Sequence, residues 1–306
     1  MKFLLIPLLA LLCVRAFAAE KPGLPTAHTT RNIEGWNIRV DDRLLTGDGA
    51  EIGARALKLL GARLVAIAVI MPESALTKLR AITIQLDLDY GGLRPAQYHP
   101  GADWLKAHGY AANLVKCVHI PQAEDFLSPF ENHRMPWVVL HELAHGYHDQ
   151  VLGFDHAKVK AAWQKFRDSG KYATVLTSPG GNREHYGVNN PQEFFAEMTE
   201  CYFGSNDFYP FVTGELKQAE PEIFKLMAEI WGPLPQGGRR KAAVAPKTPP
   251  GDAPPAASKE AGQPIHLRFP HETQRRPARC SLPCPNGLGP RPSESSAPEH
   301  HLLHDR

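Results

Sequence analysis

Long apolar runs are scarce in this 306-residue chain, which limits the kinds of protein it can be. Beyond residues 3–14, no stretch reaches the ~18 consecutive apolar residues that a membrane-spanning helix needs, so we predict no membrane span and a soluble mature protein. A strong charge of one sign is also missing, since the formal net charge is only +2. That balance gives no support for a nucleic-acid partner.

Cysteines are few as well. The chain has five, and Cys13 lies inside the N-terminal apolar run. Four remaining cysteines in a chain of this length do not make a disulfide scaffold. Cys280 and Cys284 are close enough in sequence to close a small loop, whereas Cys117 and Cys201 can equally be buried free thiols.

The N-terminus has the pattern of a secretory signal. Lys2 precedes an apolar run over residues 3–14, and Ala16-Phe17-Ala18 has the small-x-small pattern of a cleavage site. We therefore predict a signal peptide over residues 1–19 and a secreted or periplasmic protein.

The composition changes near residue 235. Residues 236–306 contain 13 of the 28 prolines and 11 Lys plus Arg against 6 Asp plus Glu. With so little apolar surface to bury, this segment is predicted to be a disordered, proline-rich basic tail. The folded domain is then predicted to span residues 25–235.

Strand patterns come first in this domain and helical patterns follow. Period-2 or short apolar runs predict strands over 36–40, 82–88 and 115–120, the second with one apolar and one polar face. Helical spacing predicts helices over 50–70, 136–152, 156–169, 191–203 and 219–231. This order indicates an α+β fold, with a small mixed sheet followed by the helices that carry the motifs below.

One predicted helix contains the stretch VVLHELAHGYHD, residues 138–149. His141 and His145 are four apart, so they project from the same face, with Glu142 beside them. This HExxH pattern is typical of two zinc ligands and a general base. The surrounding residues are largely uncharged, and burying unpaired His and Glu is costly, which favours one bound Zn²⁺ per chain.

The helix is predicted to begin at Pro136 and to end before Gly153. His148 follows His145 by three residues, but three ligands on one straight helix are poorly arranged for a tetrahedral metal. We expect His148 to be a hydrogen-bonded polar residue near the helix end.

The third ligand is predicted downstream, on a helix capped by Asn190, started by Pro191 and ended by Gly204. Glu193, Glu197 and Glu200 form an acidic stripe on it. Stacked carboxylates repel one another unless something positive faces them, which favours Glu193 as a zinc ligand. The alternative for Glu193 is a capping box with Asn190.

These residues resemble the catalytic domain of anthrax lethal factor and its relatives, a gluzincin family of zinc metallopeptidases. The matching motifs are HExxH at residues 141–145, EFFAE at residues 193–197, and Tyr186, seven residues before Glu193. The resemblance covers about residues 141–203. It implies a zincin-like domain that hydrolyses peptide bonds in a peptide or protein substrate.

The resemblance also implies individual roles. His141, His145 and Glu193 would bind zinc, Glu142 would act as the base, and the Tyr186 hydroxyl would stabilise the oxyanion. The alternative for Tyr186 is a packed surface tyrosine. Glu197 or Glu200 would orient a ligand histidine from behind.

Other residues receive weaker predictions. A substrate can pair with the strand at 82–88 or at 115–120 if either lies at a sheet edge; both can also be internal. His99 and Trp104 can line the cleft or pin a loop, and His119, His133, His156 and His185 are taken as ordinary histidines. A zinc hydrolase of non-peptide amides and a zinc-stabilised surface binding module remain alternatives to a peptidase, and the oligomeric state stays open.

Overall fold

The computed structural model describes residues 24–235. The predicted signal peptide (1–19) and basic tail (236–306) lie outside these residues. The strands are β1 His28–Ile33, β2 Trp36–Asp41, β3 Thr83–Leu86, β4 Gln97–Tyr98, β5 Cys117–Ile120, β6 Val175–Leu176 and β7 Asn182–Arg183. The helices are α1 Ala50–Ile70, α2 Glu73–Arg80, α3 Ala102–Ala107, α4 Ala123–Phe126, α5 Pro129–Arg134, α6 Val138–Tyr147, α7 Ala157–Asp168, α8 Pro191–Phe203, α9 Thr213–Ala219 and α10 Pro221–Trp231.

Five strands form one mixed sheet in the order β1-β2-β3-β5-β4. β2, β3 and β5 run parallel, while β1 pairs antiparallel with β2 and β4 pairs antiparallel with β5. The predicted α+β class with a small mixed sheet is confirmed. The two-residue β4 forms one edge of this sheet.

The core follows the two periodicities seen in the sequence. β2 buries every second residue, and α1 buries one stripe at spacings of three and four residues. The fully or nearly fully buried members are Trp36, Ile38, Val40, Ala56, Leu60, Leu64 and Ile67. Both sets belong to the same apolar cluster as α6 and α8, so the motif helices rest on the main core.

The strands predicted as possible sheet edges are both internal. β3 lies between β2 and β5, and β5 lies between β3 and β4. The predicted polar face of the 82–88 strand is also buried, since Gln85 and Asp87 are almost fully inaccessible to solvent. Asp87 is stabilised by His28 and His119, whose Nε2 atoms each lie 2.7 Å from one of its carboxylate oxygens.

The HExxH helix is shorter than predicted. α6 begins at Val138, two residues after Pro136, and the chain continues beyond Tyr147 as a π-helical turn over His148–Leu152. Gly153, with φ +81, ends it as expected. The sequence pattern missed β1, because its residues are mostly polar and exposed and show no period-2 apolar alternation. It also missed β4 and the shortest helices, because segments this short carry little periodic signal.

Within residues 24–235, no helix combines the length and apolar character needed to cross a membrane. Cys117 and Cys201 are both buried free thiols. Cys280 and Cys284 lie outside the described residues.

Two glycines of α1 give a matched test of this packing. A Cβ at Gly53 would lie 1.9 Å from the Leu44 carbonyl oxygen, whereas one at Gly61 would meet only Ile33 Cγ2, at 3.6 Å. We expect Gly53→Ala to lower the free energy of unfolding by ~1–3 kcal/mol through overpacking. Gly61→Ala should raise it by ~0.5–1 kcal/mol, because alanine favours the helix. Urea unfolding of the full chain measures both, and equal effects at the two positions would contradict this packing.

Candidate metal centre

The site lies between α6 and α8. Asn190 caps α8, because its side chain accepts a hydrogen bond of 2.8 Å from the Glu193 backbone N–H. Pro191 is the first residue of α8 and Gly204 follows its last, as predicted. Phe194 and Phe195, the two residues after Glu193, are fully buried and hold the start of α8 in the core.

The structure brings together the three predicted ligands. His141 Nε2 lies 3.1 Å from His145 Nε2 and 3.2 Å from Glu193 Oε2, and His145 Nε2 lies 3.4 Å from the same Glu193 oxygen. Asn190 binds the Glu193 backbone, while the Glu193 side chain points to the histidines. The three residues form a group that could hold a metal ion.

A second layer of carboxylates lies behind His141. Glu200 Oε1 is 2.8 Å from His141 Nδ1, whereas Glu197 Oε1 is 3.9 Å from the same atom. All three side chains are fully buried. Because Nδ1 and Nε2 belong to one ring, a carboxylate at Nδ1 directs the Nε2 lone pair toward the candidate metal position. Glu200 lies closer to Nδ1 than Glu197 does and is therefore the better candidate for this orienting role.

The predicted base, Glu142, lies on a different side of α6. Its Oε2 accepts a hydrogen bond of 2.8 Å from the Tyr98 backbone N–H, and its side chain is nearly buried. This backbone donor fixes the position of one oxygen of the carboxylate. No sequence pattern predicted the contact, since β4 is too short for a period-2 pattern.

Tyr186 lies on the one-turn 3₁₀ helix Tyr186–Val188, just before α8. Its side chain is partly buried and packs against the main core. His185, predicted to be an ordinary histidine, caps this turn, because its Nδ1 accepts a hydrogen bond of 3.0 Å from the Gly187 N–H. The buried His185 ring thus helps to shape the segment that carries Tyr186.

His148 does not match its prediction. It is fully buried, and neither ring nitrogen has a hydrogen-bond partner among the residues that the structure describes. Its ring contacts Phe154 and Phe195 instead. Burial lowers the pKa of His148 to about 4, because the charged imidazolium is poorly solvated there.

His99 and Trp104 follow the loop-pinning alternative. His99 is buried and stacks on Trp104, with ring centroids 5.9 Å apart. His99 Nε2 also lies 3.3 Å from His119 Nδ1. Through His119, these contacts connect His99 to the buried carboxylate of Asp87. His156 caps α7, and His133 is exposed.

Comparisons with known proteins find no match, whether with family models, with curated proteins or with solved structures. The chemistry proposed below is therefore argued from the motifs and from the geometry of α6 and α8.

The burial of His148 predicts a pH effect on stability. Its folded pKa of about 4 lies below the ordinary value of 6.5, so the unfolded chain binds the proton first. Stability from the neutral ring is complete above pH 6.5 and is lost as the pH falls toward 4, by up to ~1.4 kcal/mol per pH unit.

We expect His148→Phe to flatten the fall in unfolding free energy between pH 6.5 and pH 4. Urea unfolding of metal-free wild type and variant at several pH values measures the slope, and any repacking offset is independent of pH. Parallel curves for the two proteins would show that the pKa of His148 is the same in the folded and the unfolded chain, which would contradict this prediction.

Proposed function

We propose that this protein is a zinc-dependent hydrolase with a zincin-like fold. More narrowly, we propose a secreted zinc metalloendopeptidase that acts on a peptide or protein substrate. Support comes from the chain order: a mixed sheet, then α6 with His141 and His145, then α8 with Glu193. Secretion belongs to the proposal through the signal pattern of residues 1–19.

The distances among the three ligand atoms carry the proposal. Zinc bound at ~2.0–2.1 Å in a tetrahedral site places its ligand atoms about 3.3–3.4 Å apart. The observed separations are 3.1, 3.2 and 3.4 Å. Two imidazoles and one carboxylate are a ligand set typical of catalytic zinc, and three protein ligands leave a fourth position for water or substrate.

Each residue then has a definite task in peptide hydrolysis. His141, His145 and Glu193 would hold the zinc, which as a Lewis acid would lower the pKa of a bound water to ~7 and polarise the scissile carbonyl. Glu142 takes a proton from the attacking water and passes it to the leaving amine. Tyr186 is proposed to donate its hydroxyl to the developing oxyanion, a contact worth ~3 kcal/mol at such positions.

A buried carboxylate next to the proposed ligands favours a hydrolase over a binding module. A structural zinc site is closed by four ligands and needs no base. Glu142 is held by a backbone donor, is adjacent in sequence to the proposed ligand His141, and is not a member of the ligand group.

The carboxylates behind His141 give one test of the metal site. We expect Glu200→Gln to weaken zinc binding by ~10–100-fold, because it removes the charged partner of Nδ1. Glu197→Gln is the matched control on the same helix, and its greater distance from Nδ1, 3.9 Å against 2.8 Å, predicts a smaller loss. Competition with a zinc chelator measures both affinities, and the reverse order would contradict the assignment.

The base gives the test of function. We expect wild type and Glu142→Gln each to bind one zinc per chain, while the variant loses ~10²–10⁴-fold in cleavage of a peptide library. Metal analysis and mass spectrometry of the fragments measure the two quantities. Chelation should abolish cleavage by the wild type.

Each alternative has its own outcome. Full activity in Glu142→Gln would exclude the proposed mechanism. Zinc binding without peptide cleavage would leave hydrolysis of a non-peptide amide, which a panel of acylated amines tests, or a binding role.

A further inference from the structure

α6 and the turn after it carry a second functional face. His141 and His145 face α8. A second set of residues is separated by four, then three, then one position in the sequence: Glu142, Gly146, Asp149 and Gln150. Such spacings place them along one side of a helix. All four contact a single residue, Tyr98 of the edge strand β4.

Tyr98 is held at three points. Its backbone N–H donates to Glu142 Oε2 at 2.8 Å. Its ring lies so close to Gly146 that a Cβ there would be 3.2 Å from Tyr98 Cε2. Its hydroxyl donates to Asp149 Oδ2 at 2.6 Å and accepts from Gln150 Nε2 at 3.0 Å.

Tyr98 pairs with Val118 of β5, at the edge of the sheet. The next residue, His99, forms two backbone hydrogen bonds. Its N–H donates to the Cys117 carbonyl, and its carbonyl accepts from the Lys116 N–H. Successive residues of a strand direct their N–H groups to opposite sides, so the Tyr98 N–H points away from β5 and toward α6. A two-residue edge strand therefore needs its side-chain contacts to keep this donor in place.

Asp149 is the anchor of these contacts. Its carboxylate also forms an ion pair with Lys116, at the start of β5. Asp149 thus connects Tyr98 of β4 and Lys116, the residue before β5, to the turn after α6. The hydroxyl of Tyr98 contacts Asp149, while its backbone N–H contacts Glu142.

We propose that Tyr98 is the positioning residue of Glu142: its hydroxyl bonds to Asp149 and Gln150 keep the edge strand against α6, so that its backbone N–H fixes the direction of the carboxylate. The role in catalysis rests on the proposed function. Because a displacement of ~1 Å can reduce a rate by ~10²-fold, loss of this clamp affects turnover more than binding.

Amide hydrogen exchange of the full chain tests the contact without any activity. We expect the residue 98 amide to exchange about tenfold faster in Tyr98→Phe and in Glu142→Ala than in wild type, because each change loosens or removes its acceptor. Tyr90→Phe is the matched control: it removes another tyrosine hydroxyl bond, to the Ala111 N–H, at a distance from α6. Unchanged exchange in Glu142→Ala would overturn the proposal.

Kinetics test the consequence. We expect Tyr98→Phe to lower kcat by about tenfold, with KM changed less than twofold and one zinc still bound per chain. Tyr90→Phe should retain the wild-type kcat. In a Glu142→Gln background the Tyr98→Phe change should have no further effect on the residual rate.

The possible results separate the two proposals. An equal loss of kcat in both backgrounds would give Tyr98 a general structural role and overturn the positioning role. If the wild type cleaves no peptide, the proposed function fails, and amide exchange at residue 98 still decides whether Tyr98 holds Glu142.

Discussion

The pairing of α6 with α8 is the constraint on which the candidate site depends. It buries His141 and His145 against Glu193 and Glu200, at distances of 2.8–3.4 Å. Isolated charges in a protein interior cost several kcal/mol each, so such a cluster persists only if its charges compensate one another. Three glutamates of α8 lie near these two histidines, so the carboxylates outnumber the side chains that can carry a positive charge. A divalent cation at the centre would offset the excess, and this is the physical argument behind the proposed zinc.

A shift of one residue along a helix rotates a side chain by about 100°. Because of this rotation, adjacent residues of α6 contact two different elements, α8 and β4. His141 and His145 take their partners from α8, while Glu142 takes its partner from β4. The positions of the proposed ligands and of the proposed base therefore depend on different parts of the fold, and the close approach at Gly146 brings the sheet near enough for the contact with Glu142.

Local patterns predicted the elements whose signal lies within a few turns. α1, the cap of α8 by Asn190 and the grouping of His141, His145 and Glu193 agree with them. The errors at the polar face of the β3 segment and at His148 share one cause: both environments include residues distant in the chain. Asp87 is buried beside His28 and His119 of other strands, and among residues 24–235 His148 contacts Phe154 and Phe195 in place of a hydrogen-bond partner.

The sequence by itself determined the helix that carries HExxH, the helix that carries three glutamates, and the residue types for a metal site, because helical spacing and capping are local properties. Only the tertiary structure decided that β4 is the sheet edge beside α6, that Glu200 rather than Glu197 is nearest His141, and that Tyr98 holds Glu142. These contacts join residues 44 to 59 positions apart in the chain. Their geometry depends on how whole elements pack, which no local pattern specifies.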